Sequence, residues 1–260
     1  MITSTQNPTI KKIIKLQKAR ERKKENLILI EGRHEISMAK SSRIEIINLF
    51  YCDQFTSDSR FNVDIKKELI ENISPEVFKK ISYRQNPEGY LAIARPKRLD
   101  LKTIKLSQKP LVLILEAIEK PGNLGAILRT ADAAGVDAVI INDPRVDVYN
   151  PNVIRASLGS VFTNKIVVEN SEKTLKWLKL NKINSYAATP SATELYTNKG
   201  YKNSCAIVVG AEHEGLSQFW LKKADFKVKI PMLGKIDSLN ASVSVAILLF
   251  EALKQRKLTF

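Results

Sequence analysis

The 260-residue chain has two cysteines, two histidines, no long apolar run and no glycine-rich phosphate loop, and each shortage excludes a class of function. Cys52 and Cys205 stand far apart without a C-x-x-C pair, so no disulfide framework is expected and a cytoplasmic setting fits. His34 and His213 add too few ligands to the cysteines for a zinc site, so no metal is expected. No apolar stretch approaches the roughly 18 residues of a membrane span. The opening residues, with Asn7-Pro8 and scattered lysines, lack the apolar segment of a secretory signal. Neither G-x-G-x-x-G nor a P-loop follows any apolar run, so NAD and ATP lack their usual phosphate cradle and an oxidoreductase is disfavoured.

What the chain does have is positive charge. Lys and Arg number 42 against 27 Asp and Glu, a net charge of +15 carried by both halves. A field of that sign draws polyanions, which makes nucleic acid the expected partner. The densest part is the opening helix. Asn7 reads as its N-cap and Pro8 as its first residue, where a missing N–H costs nothing. Ile10, Ile13, Ile14 and Leu16 give it an apolar side; Lys11, Lys12, Lys15, Lys18, Arg20, Arg22, Lys23 and Lys24 cover the rest and read as a basic arm for phosphates.

The organisation that follows is two α/β parts. A short apolar run to Ile30, a helix to Lys40 that begins near Arg33, an alternating strand to Tyr51, a helix start at Ser74-Pro75 and a strand from Tyr90 fill residues 1–95. Residues 96–110, polar, basic and bracketed by prolines, read as a linker. From 111 to 260 strands alternate with helices. The runs at 111–115 and 138–141 are continuously apolar, as in buried parallel strands. The fold class expected is α/β, with a parallel sheet in the second domain.

Three segments of that domain carry candidate chemistry. Asn123-Leu124-Gly125 runs on to Arg129, with Asn123 read as lying just before a helix. Gly210-Ala211-Glu212 opens a glycine-flanked turn directly after an apolar strand. Ile230-Pro231-Met232 leads through Ser238-Leu239-Asn240 into the last helix, for which Asn240 is also a plain cap.

In this order and spacing, from about Leu113 to Gln255, the three segments resemble the signature motifs of the SpoU-like (TrmH-like) branch of the SPOUT RNA methyltransferases. Residues 1–95 resemble, more loosely, that family's L30e-like substrate-binding domain. The resemblance implies a trefoil-knotted C-terminal sheet, a homodimer with its site near the subunit interface, and S-adenosylmethionine as cofactor. The substrate it implies is a ribose 2′-hydroxyl, in 23S ribosomal RNA by preference and in transfer RNA as an alternative. It implies catalytic roles for Arg129, Asn123, Glu212, Ser238 and Asn240, and cofactor contacts from Gly210, Ile230, Met232, Leu239 and Thr189. Lys11, Lys12, Lys15 and Arg33 are the RNA contacts expected of the first domain. Arg155, Ser157 and Gly159 match a family segment without an assigned role. Ala241 departs from the valine common after the last motif's Asn, a change of packing rather than chemistry. The competing reading is an RNA-binding ribosome-assembly factor without catalysis, which would need none of the five catalytic candidates together.

Overall fold

The computed structural model describes residues 1–56 and 65–256. They fall into two compact units, one of residues 1–97 with 147–163, the other of 98–146 with 164–256. The sequence boundaries are contiguous, whereas this division is not: the segment Asp147–Thr163 clusters with the first unit. Residues 257–260, the end of the second domain as read from sequence, lie outside the described residues.

The first unit opens with α1 (Pro8–Leu16) and α2 (Ala19–Glu25), then β1 (Ile28–Glu31), α3 (Arg33–Ser41), β2 (Glu45–Tyr51), β3 (Ile70–Asn72), α4 (Pro75–Ile81) and β4 (Tyr90–Arg95). Its sheet has the order β1-β4-β2-β3, with β4 antiparallel to both neighbours and β3 parallel to β2. Asn7 caps α1 by accepting the Thr9 amide at 2.8 Å, and Ile10, Ile13 and Leu16 pack with Phe50, Phe78 and Leu91 into the core. The expected single basic helix is two. Arg22 is only 4% exposed, with its guanidinium on the Leu16 and Gln17 carbonyls at 2.9 and 2.7 Å and on the Asp147 carboxylate at 2.6 Å. Those carbonyls are the unsatisfied end of α1, so Arg22 terminates that helix instead of facing solvent.

The second unit begins with β5 (Leu111–Glu116), α5 (Pro121–Ala133) and β6 (Ala138–Asn142). The chain then enters the first unit as α6 (Pro151–Ala156) and α7 (Ser160–Thr163), where α6 packs on β1 and α7 on α3. It resumes with β7 (Ile166–Val168), α8 (Ser171–Leu180), β8 (Asn184–Ala188), β9 (Cys205–Val209), α9 (Gln218–Lys223), β10 (Phe226–Val228) and α10 (Ala241–Gln255). The sheet order is β10-β8-β9-β5-β6-β7, and every pairing is parallel. The apolar runs of β5 and β9 are buried throughout, as strands covered on both faces must be. β3, α6, α7 and α9 are elements that the periodicity did not reveal. No helix among the described residues is long and apolar enough to cross a membrane.

One side chain closes the second unit. Arg256, capping α10, donates to the carbonyls of Lys109, Tyr201 and Asn203 at 2.7, 2.9 and 2.8 Å, and its Nη2 lies 3.2 Å from the buried Cys205 Sγ. Burial pushes the Cys205 thiol up, and the adjacent guanidinium opposes the shift. Arg256→Ala strips these three carbonyls, and that of Pro110 at 3.2 Å, of a charged donor and is expected to cost about 3 kcal/mol. A urea unfolding curve with a lowered midpoint and unchanged slope checks it.

Candidate active site

The carboxyl ends of parallel strands gather loops and helix starts, and three of these meet in the second unit. α5 starts at Pro121, a residue suited to the first helical position, so Asn123 sits inside the first turn and not before the helix as expected. Its Nδ2 donates to Glu212 Oε1 in a short hydrogen bond. Its Oδ1 accepts from Asn240 Nδ2 at 3.2 Å. Asn240 caps α10, and its own Oδ1 accepts from the Ser242 amide at 2.9 Å and the Ser242 hydroxyl at 2.7 Å. The chain of bonds has one direction, because an ionised carboxylate can only accept. Glu212 therefore turns the Asn123 amide, which turns that of Asn240. Ser242 completes the series, and the sequence reading assigned it no role; the signal was its position two residues past a helix-capping Asn.

The Glu212 loop is held from both ends. At Gly210 a Cβ would come within 2.2 Å of the Gly215 carbonyl oxygen and 2.6 Å of the Leu216 amide, so only glycine fits. Gly215 itself has φ +68° and donates to the Ala211 carbonyl at 3.0 Å. Downstream, the buried Glu116 at the end of β5 accepts from the Ser217 amide and hydroxyl, both at 2.8 Å. Glu116 went unremarked in the sequence, one residue past the apolar run at 111–115. Glu212 Oε2 is buried and has no hydrogen-bond partner among the described residues.

The other candidates are less gathered. Arg129 is exposed, and its side chain makes no hydrogen bond or ion pair among the described residues. Six helical residues turn the direction by about 240°, so Arg129 leaves α5 a third of a turn away from Asn123. Among the described residues Glu212 forms no ion pair with Arg129; its partner is Asn123. Ser238 is exposed and joins no bond of the cluster. Ile230, Met232 and Leu239 lie along the loop before α10, in which Leu233 and Ile236 are 97% and 63% exposed. Thr189, just past β8, donates its amide to the Val228 carbonyl at 2.9 Å and pairs its hydroxyl with that of Ser191. In the first unit Lys11, Lys12 and Lys15 lie along α1, and Arg33 lies exposed at the start of α3.

Known proteins share both parts. Residues 110–250 match the SpoU rRNA Methylase family and residues 7–92 the MRM3-like substrate binding domain. The chain is 30% identical over 249 residues, 96% of its own length and 97% of the relative's, to the 23S rRNA (guanosine(2553)-2'-O)-methyltransferase RlmP of Bacillus subtilis (strain 168). Among solved structures, an RNA 2'-O ribose methyltransferase is 41% identical with a TM-score of 0.87, covering 98% of both chains. An AdoMet-bound rRNA methyltransferase from Sinorhizobium meliloti is 28% identical with a TM-score of 0.88, covering 97% of both. The sheet, with Asn123, Glu212 and Asn240 drawn together at its loops, is the fold of a SpoU-type methyltransferase. The chain belongs to the SpoU rRNA methylase family.

Proposed function

We propose that the protein transfers a methyl group from S-adenosylmethionine to a ribose 2′-hydroxyl of ribosomal RNA, in the large subunit by preference, and does so in the cytoplasm. The observation that carries this is Glu212: one carboxylate oxygen fixed by Asn123, the other buried without a donor among the described residues. A buried acceptor left open is costly unless a ligand supplies the missing hydrogen.

The residues around it suit an adenosyl group. Gly210 brings backbone close at the end of β9, Ile230, Met232 and Leu239 are apolar, and Thr189 follows the adjacent β8. None of these five is charged, which suits a nucleoside without phosphates. Bound there, the cofactor supplies a methyl group already activated by its sulfonium charge.

The remaining work falls to the protein. A ribose hydroxyl is a poor nucleophile at neutral pH, so its proton needs an acceptor, a role we give to Glu212, supported by the open valence of its Oε2. Arg129, free of partners among the described residues, stabilises the developing alkoxide and holds the neighbouring phosphate; a guanidinium does this more readily than it gives up a proton. Asn123 orients Glu212, and Asn240 and Ser238 add neutral hydrogen bonds.

The same reading includes a homodimer. Arg129 diverges from its own chain's Asn123, and Val243 and Phe250 leave apolar surface exposed on α10, which packs against α5. A second copy covering that surface would place its Arg129 at the site. The trefoil knot belongs to this reading too, supported by a chain that reaches the sheet edge at β10 and returns as α10 against α5.

We assign RNA recognition to residues 1–95, supported by the match over 7–92 and by the lysines of α1. Changing Lys11, Lys12 and Lys15 to Gln is expected to weaken RNA binding and to flatten its log–log salt slope by about 0.7–0.9 for each phosphate no longer neutralised. Titrations across a salt series check this, and an unchanged slope would remove α1 from the interface.

The test of function is incubation with methyl-labelled S-adenosylmethionine and, separately, ribosomal and transfer RNA. Label recovered as a 2′-O-methylnucleotide from ribosomal RNA supports the proposal. Label in transfer RNA only would move the substrate, and RNA binding without transfer would favour the assembly factor.

A further inference from the structure

The first unit contains a recess that none of the roles above uses. Leu29 of β1, Ile81 at the end of α4, Leu91 of β4 and Ile154 of α6 form its apolar floor, and Tyr83 and Arg155 stand at its rim. Tyr83 is 45% exposed, yet it is held at both ends. Its backbone amide donates to Glu31 Oε2 at 2.7 Å, and its phenol oxygen accepts from Asn152 Nδ2 at 2.7 Å. An exposed tyrosine ordinarily samples several rotamers, so one pinned at both the backbone and the hydroxyl has little freedom left to lose on binding. The ring is a preformed flat surface that faces solvent.

The charges around it are unequally engaged. Arg84 is consumed by Glu35 at 2.6 Å and by Glu88 in a short ion pair, and the Glu31 carboxylate is taken by the Ser82 hydroxyl and the Tyr83 amide. Arg155 gives one N–H to Asn152 Oδ1 at 3.2 Å, which fixes its position and leaves its other donors available. An aromatic face beside an available guanidinium, on a chain of net charge +15, is the combination that holds an unstacked base and its phosphate.

From this we infer that Tyr83 and Arg155 form a stacking platform for a single extruded or single-stranded nucleotide of the RNA substrate, distinct from the lysines of α1. The inference rests on the RNA reading above and deepens it. Asn152 and Arg155 come from the segment of the methylase sequence that lies in the first unit, so the platform joins residues of both matched regions. It would favour a loop or bulge over a continuous duplex, whose bases offer no free face.

The probes are a single-stranded RNA of about ten nucleotides carrying 2-aminopurine, and a duplex of the same composition. The wild-type protein should quench the 2-aminopurine on binding. Tyr83→Ala should weaken single-strand binding by about tenfold with the salt slope unchanged, since stacking displaces no counterions. Tyr83→Phe, which keeps the ring, should stay much closer to wild type, and duplex binding should change little in either variant. Cross-linking of the wild-type protein to a 4-thiouridine version of the same RNA should map to the peptide holding Tyr83; this reading needs no variant and stands whether or not Tyr83→Ala folds. Unchanged single-strand affinity in a folded Tyr83→Ala protein, an equal loss on duplex, or cross-links confined to other peptides would overturn the inference. Methyl transfer by the wild type separates the two claims: transfer without a Tyr83 effect sinks the platform alone, and a Tyr83 effect without transfer sinks the enzyme reading alone.

Discussion

Arg129→Ala is expected to lower kcat by about 10²–10³-fold while leaving the affinity for S-adenosylmethionine within about twofold. The side chain is exposed, without partners among the described residues, and a third of a turn from the Asn123–Glu212 pair, so nothing described in its own chain depends on it. Its loss should therefore spare the fold and the cofactor and remove only the charge proposed to stabilise the reacting oxygen. Single-turnover rates and calorimetry on the same preparation check both halves. A fall in cofactor affinity matching the fall in rate would transfer Arg129 from catalysis to binding. Mixing Arg129→Ala with Asn123→Ala, which deprives Glu212 of its donor and is expected to be impaired as well, adds a second reading. If Arg129 acts across a dimer, a mixed dimer holds one site with both residues intact, and activity returns. If it acts within its own chain, each site lacks one of them and the mixture stays inactive.

Gly210→Ala should have the second large effect, and on different measurements. The added methyl would stand 2.2 Å from one backbone oxygen and 2.3 Å from its carbon, neither of which is the movable tip of a side chain. Relief requires the Ala211–Gly215 bridge to open and the Glu212 loop to shift away from β9. Forcing that shift is expected to cost about 3 kcal/mol of stability. Cofactor affinity should fall by at least about tenfold, equivalent to about 1.4 kcal/mol, because the Gly210 backbone proposed to hold the nucleoside would be displaced. A lowered urea midpoint with weakened calorimetric binding is the expected pair. Unchanged binding in a destabilised protein would separate Gly210 from the cofactor site.

The sequence was informative where a residue type has one physical use. Continuous apolar runs became the buried strands β5, β6 and β9, and Pro8 and Pro75 each stand at the first position of a helix, whereas the same signal at Pro121 was missed and α5 starts earlier than read. Periodicity carried less where elements are short or their partners distant. β3 and α7 have three and four residues, too few for a repeat to register. Arg22 looked like one more solvated charge because Asp147, its partner, lies 125 positions away. The bond between Glu212 and Asn123 was hidden for the same reason, since 89 positions separate the two residues. Ala117 and Asp143 take left-handed backbone at the ends of β5 and β6, conformations that neither residue announces.

A crystal structure with S-adenosylhomocysteine bound would bear most directly on all of this. The account predicts the nucleoside against Gly210, Met232 and Leu239, a donor now facing Glu212 Oε2, and an Arg129 guanidinium, from the same or a second copy, on the open side of the sulfur. A nucleoside seated away from the Asn123–Glu212–Asn240 cluster would contradict it.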